Sequence, residues 1–314
     1  MAWFKIVRGM PALSMAAALL FVLISATAAS TAPRVLATIK PIHSLAAAIL
    51  EGVAQPKLLL TGTASPHSYA LKPSNAEALS ESDAVIFVSK NLEVFLEKAI
   101  ATLPANARVI ELERMPGLSL LPVRDPDWLG HAGKGEADGG HHGDGWDVHF
   151  WLDPLNAIAI ARGLAGEFAA MDPEHAGQYQ ANAWKLESRL LSLDAELKVT
   201  LAGLSGKPFI VFHGVTQYFE TRYGLNGMGA ITLSPERAPG AKRLEALRAN
   251  IVKANAICVF SEPQFPPKLV QTLIVGTKAK QGVLDEVGAA IPPGPDQYFT
   301  LMRSNAKNLA GCLR

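Results

Sequence analysis

The chain has 314 residues, 49% hydrophobic and 18% charged, with 29 lysines and arginines against 28 aspartates and glutamates. So even a balance excludes nucleic acid and anionic membrane surfaces as partners, both of which call for a clustered positive charge. The length suffices for two domains of ordinary size, each with its own core.

The first thirty residues contain no acid and two bases, Lys5 and Arg8, followed by an apolar run from Pro11 to Ile24 and the small residues Ala26 to Ala29. This is the pattern of a secretory signal peptide cleaved near Ala28, and the run is too short to span a bilayer as a helix. No cysteine stands near the cleavage point to take a lipid. Removing the leader leaves 27 bases and a formal charge near −1. The mature chain is thus expected in the periplasm, where the two cysteines, Cys258 and Cys312, meet oxidising conditions and are expected to pair. In the chain-entropy picture, closing so long a loop contributes about 3 to 4 kcal/mol.

From Val35 onward short β-branched runs alternate with helical stretches. The spacing predicts strands over 35–39, 57–60 and 84–88, and helices over 41–53, 75–80 and 92–103. Asp153 with Pro154 reads as the cap and first residue of a further helix. A second series predicts strands over 208–212 and 256–260, with helices over 216–223, 244–254, 267–275 and 297–309. Such ordering argues for an α/β fold with two Rossmann-like lobes built on parallel sheets.

Between the two series, Asp172 and Pro173 read as a helix start. Leu186, Leu190, Leu193, Leu197, Leu201 and Leu204 then recur at spacings of three and four until Gly206 and Pro208. One helix of about 30 residues, roughly 45 Å long, is expected to join the lobes as a stiff connector, so wide hinge closure is not. The resulting segmentation is a leader over 1–28, a first lobe over 29–171, a connecting helix over 172–205 and a second lobe over 206–314. Residues 125–147 break every periodicity; they are rich in glycine and carry His131, His141 and His142, the composition of a mobile surface loop.

Among the remaining histidines, His43 and His175 read as ordinary helix residues. His67 follows the strand over 57–60 through a turn at Gly62 to Pro66, and His213 directly ends the strand over 208–212. Both therefore lie at carboxyl ends of strands, where α/β sheets place their ligand crevices. His149 precedes Phe150-Trp151-Leu152 and the capped helix. Three neutral imidazoles with a carboxylate or water suit tetrahedral zinc. At about 80 and 64 residues apart, however, the three fit no compact zinc motif.

Several motifs add weight: Gly62-Thr63-Ala64-Ser65-Pro66-His67-Ser68-Tyr69, His149-Phe150-Trp151-Leu152-Asp153-Pro154, Phe212-His213 and Phe260-Ser261-Glu262-Pro263-Gln264-Phe265. With the stretch Pro235 to Arg243 and the turn Gly282 to Asp285, they resemble the cluster A-I metal receptors of ABC transporters, zinc receptors of the ZnuA type above all. The resemblance covers essentially the whole mature chain. It implies two lobes bridged by a rigid helix with Zn2+ between them as cargo, and a monomer that delivers the ion to a membrane permease rather than an enzyme. His67, His149 and His213 map onto the family's ligands, Asp285 onto a carboxylate that completes the site in some members, and Cys258 with Cys312 onto a typical disulfide.

Manganese receptors of the same family usually have glutamate at the third position, so His213 points to zinc. Two departures bear on the fourth ligand. Pro66 stands where some zinc receptors have an acid, and the usual Leu-Asp-Pro-Leu-Gly turn reads Leu284-Asp285-Glu286-Val287-Gly288. Asp285 is the first candidate, water the second; alternatively Asp285 accepts a hydrogen bond from an imidazole. Glu262 is expected to pair with a base such as Arg237. The 125–147 loop is either an accessory zinc-gathering segment or a plain solvated loop. A secreted zinc hydrolase is the rival from another class, but neither H-E-x-x-H nor G-x-S-x-G occurs. An adhesin on the same scaffold is a third reading.

Overall fold

The computed structural model describes residues 32–124, 145–232, 235 and 239–314, together with Met1. Apart from Met1, the leader over 1–28 lies outside these residues, as do His131, His141, His142 and Arg237. In chain order the first lobe comprises β1 (Val35–Ala37), α1 (Lys40–Ile49), β2 (Lys57–Leu58), α2 (Pro73–Ser80), β3 (Ala84–Phe87), α3 (Glu97–Ile100), β4 (Arg108–Glu111) and α4 (Pro154–Met171). Helix α5 (Ala176–Leu201) leads to β5 (Pro208–Val211), α6 (Gln217–Tyr223), β6 (Asn226–Ala230), α7 (Ala241–Lys253), β7 (Cys258–Ser261), α8 (Lys268–Ile274), β8 (Lys280–Val283) and α9 (Gln297–Leu313).

The two four-stranded sheets repeat one topology, β2-β1-β3-β4 and β6-β5-β7-β8, with every pairing parallel. Central strands are buried on both faces and so read as continuous apolar runs, Ala-Val-Ile-Phe in β3 and Cys-Val-Phe-Ser in β7. Strands β4, β6 and β8 escaped the sequence reading. All three are edge strands, exposed along one side, and their compositions, Arg-Val-Ile-Glu, Asn-Gly-Met-Gly-Ala and Lys-Gln-Gly-Val, carry no apolar run.

Asp153 caps α4 as its sequence suggested, its side chain accepting from the Leu155 N–H at 2.9 Å, with Pro154 in the first turn. The connector begins differently. Pro173–His175 form a 3-10 turn, and α5 proper has 26 residues, because the Asp172 carboxylate is engaged by the His175 Nδ1 and the Tyr179 hydroxyl, each at 2.7 Å, rather than by backbone N–H groups. The leucine stripe is real: Tyr179, Ala183, Leu186, Leu190, Leu193, Leu197 and Leu201 are all buried on one face. That face packs against α4, α1 and α9, so one apolar core runs through both lobes. A smaller core lies between β5, β7, α7 and α8.

Cys258 and Cys312 form a disulfide that ties β7 to the end of α9. No helix among the described residues is long and apolar enough to cross a membrane.

Glu93, buried beside the carboxyl ends of β1 and β3, accepts hydrogen bonds from Thr38 Oγ1 at 2.6 Å and from the N–H groups of Val88 and Ser89. Burial outweighs these donors and pushes its pKa up to about 7. A carboxyl raised in the folded state binds more protons there than in the unfolded chain, so its stability contribution is full below the ordinary carboxylate range and is lost as pH rises through about 7. Melting curves between pH 5 and 8 should therefore show wild type losing up to about 3 kcal/mol relative to Glu93→Gln. Parallel curves for the two proteins would contradict a protonated Glu93.

Candidate metal centre

Four side chains converge where the carboxyl ends of the two sheets face each other. His67 reaches the site from the segment after β2, whose turn passes through Gly62 at φ 69, a left-handed conformation suited to glycine. His149 is fixed from behind by a 3-10 turn, Phe150–Leu152, whose three side chains are all buried. His213 follows β5, and Glu286 follows β8. The metal-capable atoms of these four all lie within 4.8 Å of one another.

The distances suit one ion. His67 Nε2 and His149 Nε2 are 3.1 Å apart, and Glu286 Oε2 lies 3.3, 3.6 and 3.9 Å from the Nε2 atoms of His149, His213 and His67. A tetrahedron with bonds of about 2.0 to 2.1 Å has edges of about 3.3 Å. Glu286 is wholly buried and His213 is 2% exposed, yet His213 Nε2 and both Glu286 oxygens lack a hydrogen-bond partner among the described residues. Buried polar atoms are ordinarily satisfied, so an orphaned imidazole nitrogen and an orphaned carboxylate gathered in one cluster are the mark of a cation site. His67, with its side chain 17% exposed, is the most open member of the set.

A second layer orients the rings. His149 Nδ1 donates to Asp147 at 2.8 Å and His213 Nδ1 donates to Glu262 at 2.7 Å. An ionised carboxylate can only accept, so each Nδ1 donates to it, and each Nε2 is turned toward the site, where a metal ion displaces any proton it carries. Asp147 is itself placed by its N–H on the Leu121 carbonyl and by the Tyr218 hydroxyl on its own carbonyl, each at 2.8 Å. The neighbouring Pro122–Trp146 bridge closes the base of the segment read as a loop, whose residues 125–144 lie outside the description.

Burial disfavours a charged His149, but Asp147 and Glu286 outweigh it and push its pKa up to about 10. His213 is likewise raised, burial being overcome by Glu262. Burial prevails at His67 and lowers it. Burial would raise Glu286, but the three imidazoles hold it well below the usual carboxylate range. An anion surrounded by imidazoles is thus built in before any metal arrives, and an entering cation competes with protons for the rings.

Two sequence expectations need correction. Asp285 does not join the four. Its carboxylate turns away to accept the N–H groups of Val287, Gly288 and Ala289 at 3.1, 2.8 and 2.6 Å, and the Gln264 amide at 3.0 Å. Among the described residues it bonds no imidazole either, and it shapes the turn that presents its neighbour, Glu286. Glu262, read as a partner for a base, is the acceptor that holds His213. The signal for Glu286 was present as a departure from pattern, an acid where the related turn has proline, and no periodicity marks it. Asp147 lay at the end of a stretch with no readable structure. His43 is the buried helix residue expected, its Nε2 on the Pro56 carbonyl at 3.0 Å, and His175 sits on Asp172.

The family profile for the periplasmic zinc-uptake complex component A, ZnuA, matches residues 35–312. The chain belongs to the ZnuA family. A Brucella abortus relative named high-affinity zinc uptake system protein ZnuA is 40% identical over 312 residues, covering 89% of this chain and 91% of the relative. A crystal structure of ZnuA superposes with a TM-score of 0.75 at 25% identity, covering 90% of this chain and all of that one. The solute-binding protein FpvC of Pseudomonas aeruginosa, solved with Mn2+, shares the fold at a TM-score of 0.77 and 21% identity, over 90% of this chain and 98% of that one.

Proposed function

We infer that this chain is the zinc-binding receptor of an ABC-type uptake system, which captures Zn2+ in the periplasm and delivers it to the membrane permease. The observation that carries the reading is the set of mutually facing donors, His149, His213 and Glu286 buried and His67 partly so, with no competing hydrogen bonds among the described residues at His213 Nε2 or at either Glu286 oxygen. We assign these four as the ligands. Three imidazoles and one carboxylate favour zinc over manganese, which prefers oxygen donors. Supplying the fourth donor from the protein argues against a zinc hydrolase, whose metal keeps a position open for water, and the family is one of receptors.

Release follows from where the ligands come from. His67 and His149 belong to the first lobe, His213 and Glu286 to the second, so a small relative shift on docking separates the coordination set. With α5 packed along its length and one core shared by both lobes, a modest movement suits the fold better than wide closure. The receptor works as a monomer, after cleavage near Ala28, with lobes bounded at about residues 171 and 206. Protein isolated from the native periplasm should carry one zinc per chain by elemental analysis. Manganese in its place would overturn the assignment.

A further inference from the structure

Lys40 begins α1 in the first lobe, yet its side chain ends in the second. Its Nζ lies 3.0, 2.6 and 3.1 Å from the carbonyl oxygens of Gly288, Ala289 and Ile291. An ammonium has three protons, so these three acceptors use all of them. The residue is 6% exposed, and among the described residues it makes no ion pair. Burial lowers its pKa, and the charge of Asp285 offsets part of that. Burying an unpaired ammonium is unfavourable, and an apolar residue would fill the same space at lower cost. What the ammonium adds is a bond set that exists only while the segment 288–291 lies against the first lobe.

That segment continues the turn that presents Glu286. Within its own lobe the turn is rigid: Asp285 caps three successive N–H groups, Asn305 bonds both the N–H and the carbonyl of Asp285, and Gln297 donates to the Val287 carbonyl at 2.8 Å. Gly288, at φ 75, closes it where a β-carbon would strike Gln297. The turn therefore moves as a body. Two polar side chains of the first lobe hold it in place: Trp151, whose Nε1 donates to the Glu286 carbonyl at 2.9 Å, and Lys40 with three bonds.

We propose that Lys40 is a positioning residue that latches the Glu286 turn of the second lobe onto the first and thereby sets how long zinc is retained. The proposal rests on the assignment of Glu286 as a zinc ligand. Unlatching leaves all four ligand side chains in the chain but lets the turn swing away, so the loss falls on the rate of dissociation.

The test is a double-mutant cycle in the mature full chain, with zinc affinity measured by chelator competition and dissociation by stopped flow into excess chelator. Lys40→Met in wild type should weaken binding about 10- to 100-fold, chiefly by faster dissociation. In a Glu286→Ala background, where the turn carries no donor to hold in place, the same substitution should change affinity less than about threefold, because the two act as a unit. Equal weakening in both backgrounds would mean a general effect on the fold and overturn the latch. Unchanged affinity and dissociation in Lys40→Met, with Glu286→Ala still impaired, would overturn the latch and leave the site assignment standing. No effect of Glu286→Ala itself would remove both. Should Lys40→Met not fold, Lys40→Arg completes the cycle, since a planar guanidinium cannot aim one nitrogen at three carbonyls, and the same outcomes decide.

Discussion

His213→Ala is expected to weaken zinc binding by about a thousandfold or more, roughly 4 kcal/mol. The substitution removes one of four donors and also strands two carboxylates. Glu262 loses the imidazole that engages both its oxygens at 2.7 and 2.8 Å, and Glu286, wholly buried, loses one of the three rings that hold it ionised. A smaller effect is expected for Glu286→Gln, about a hundredfold, because the amide oxygen can still face the ion but the negative charge is gone. Chelator-competition titrations of the three proteins give the order directly. Wild-type affinity in Glu286→Gln would show that the fourth donor lies elsewhere; wild-type affinity in His213→Ala would remove the site.

The largest expected effect on stability comes from the disulfide. Cys258 and Cys312 are 54 residues apart in sequence. Closing a loop of that length restricts the unfolded chain enough to stabilise the fold by about 4 kcal/mol. The Cys258→Ser, Cys312→Ser double variant, or wild type under reductant, should melt roughly 10 °C lower without zinc. Zinc affinity should change less than tenfold, because Cys258 opens β7 and Glu262 follows the opposite end of that strand. Bound zinc raises the melting temperature of both proteins by mass action, so the comparison is made with and without the ion. A larger loss of affinity would show that α9, which supports the Glu286 turn through Gln297 and Asn305, depends on the bond.

How much was legible depended on how the physics is written into the chain. Central strands such as β3 and β7 bury both faces and must be apolar without interruption, so they stand out. The edge strands β4, β6 and β8 satisfy half their backbone through a single neighbour and can be polar or glycine-rich, so they do not. The α5 stripe was visible because a helix packed along one face must repeat its leucines at three and four. Its true start was not, because Asp172 has the identity of a cap while its carboxylate serves His175 and Tyr179.

The same division runs through the site. Sequence by itself determined the three histidines, since two follow the ends of recognisable strands and all three lie in specific motifs. It also made the cysteine pair and the two-lobed plan legible, each written in local composition or spacing. Only the tertiary structure showed which carboxylate faces the three imidazoles and which acceptors hold the rings. Asp285 and Glu286 are adjacent acids, and their neighbours in the chain do not say which faces the rings. The backbone turn says so, by aiming the N–H groups of Val287, Gly288 and Ala289 at Asp285 and leaving Glu286 to the three imidazoles. Asp147, Glu262 and Lys40 were equally hidden: Asp147 meets His149 inside a stretch with no readable pattern, Glu262 meets His213 only through the pairing of β5 with β7, and Lys40 meets residues 288–291 only when the two lobes face each other.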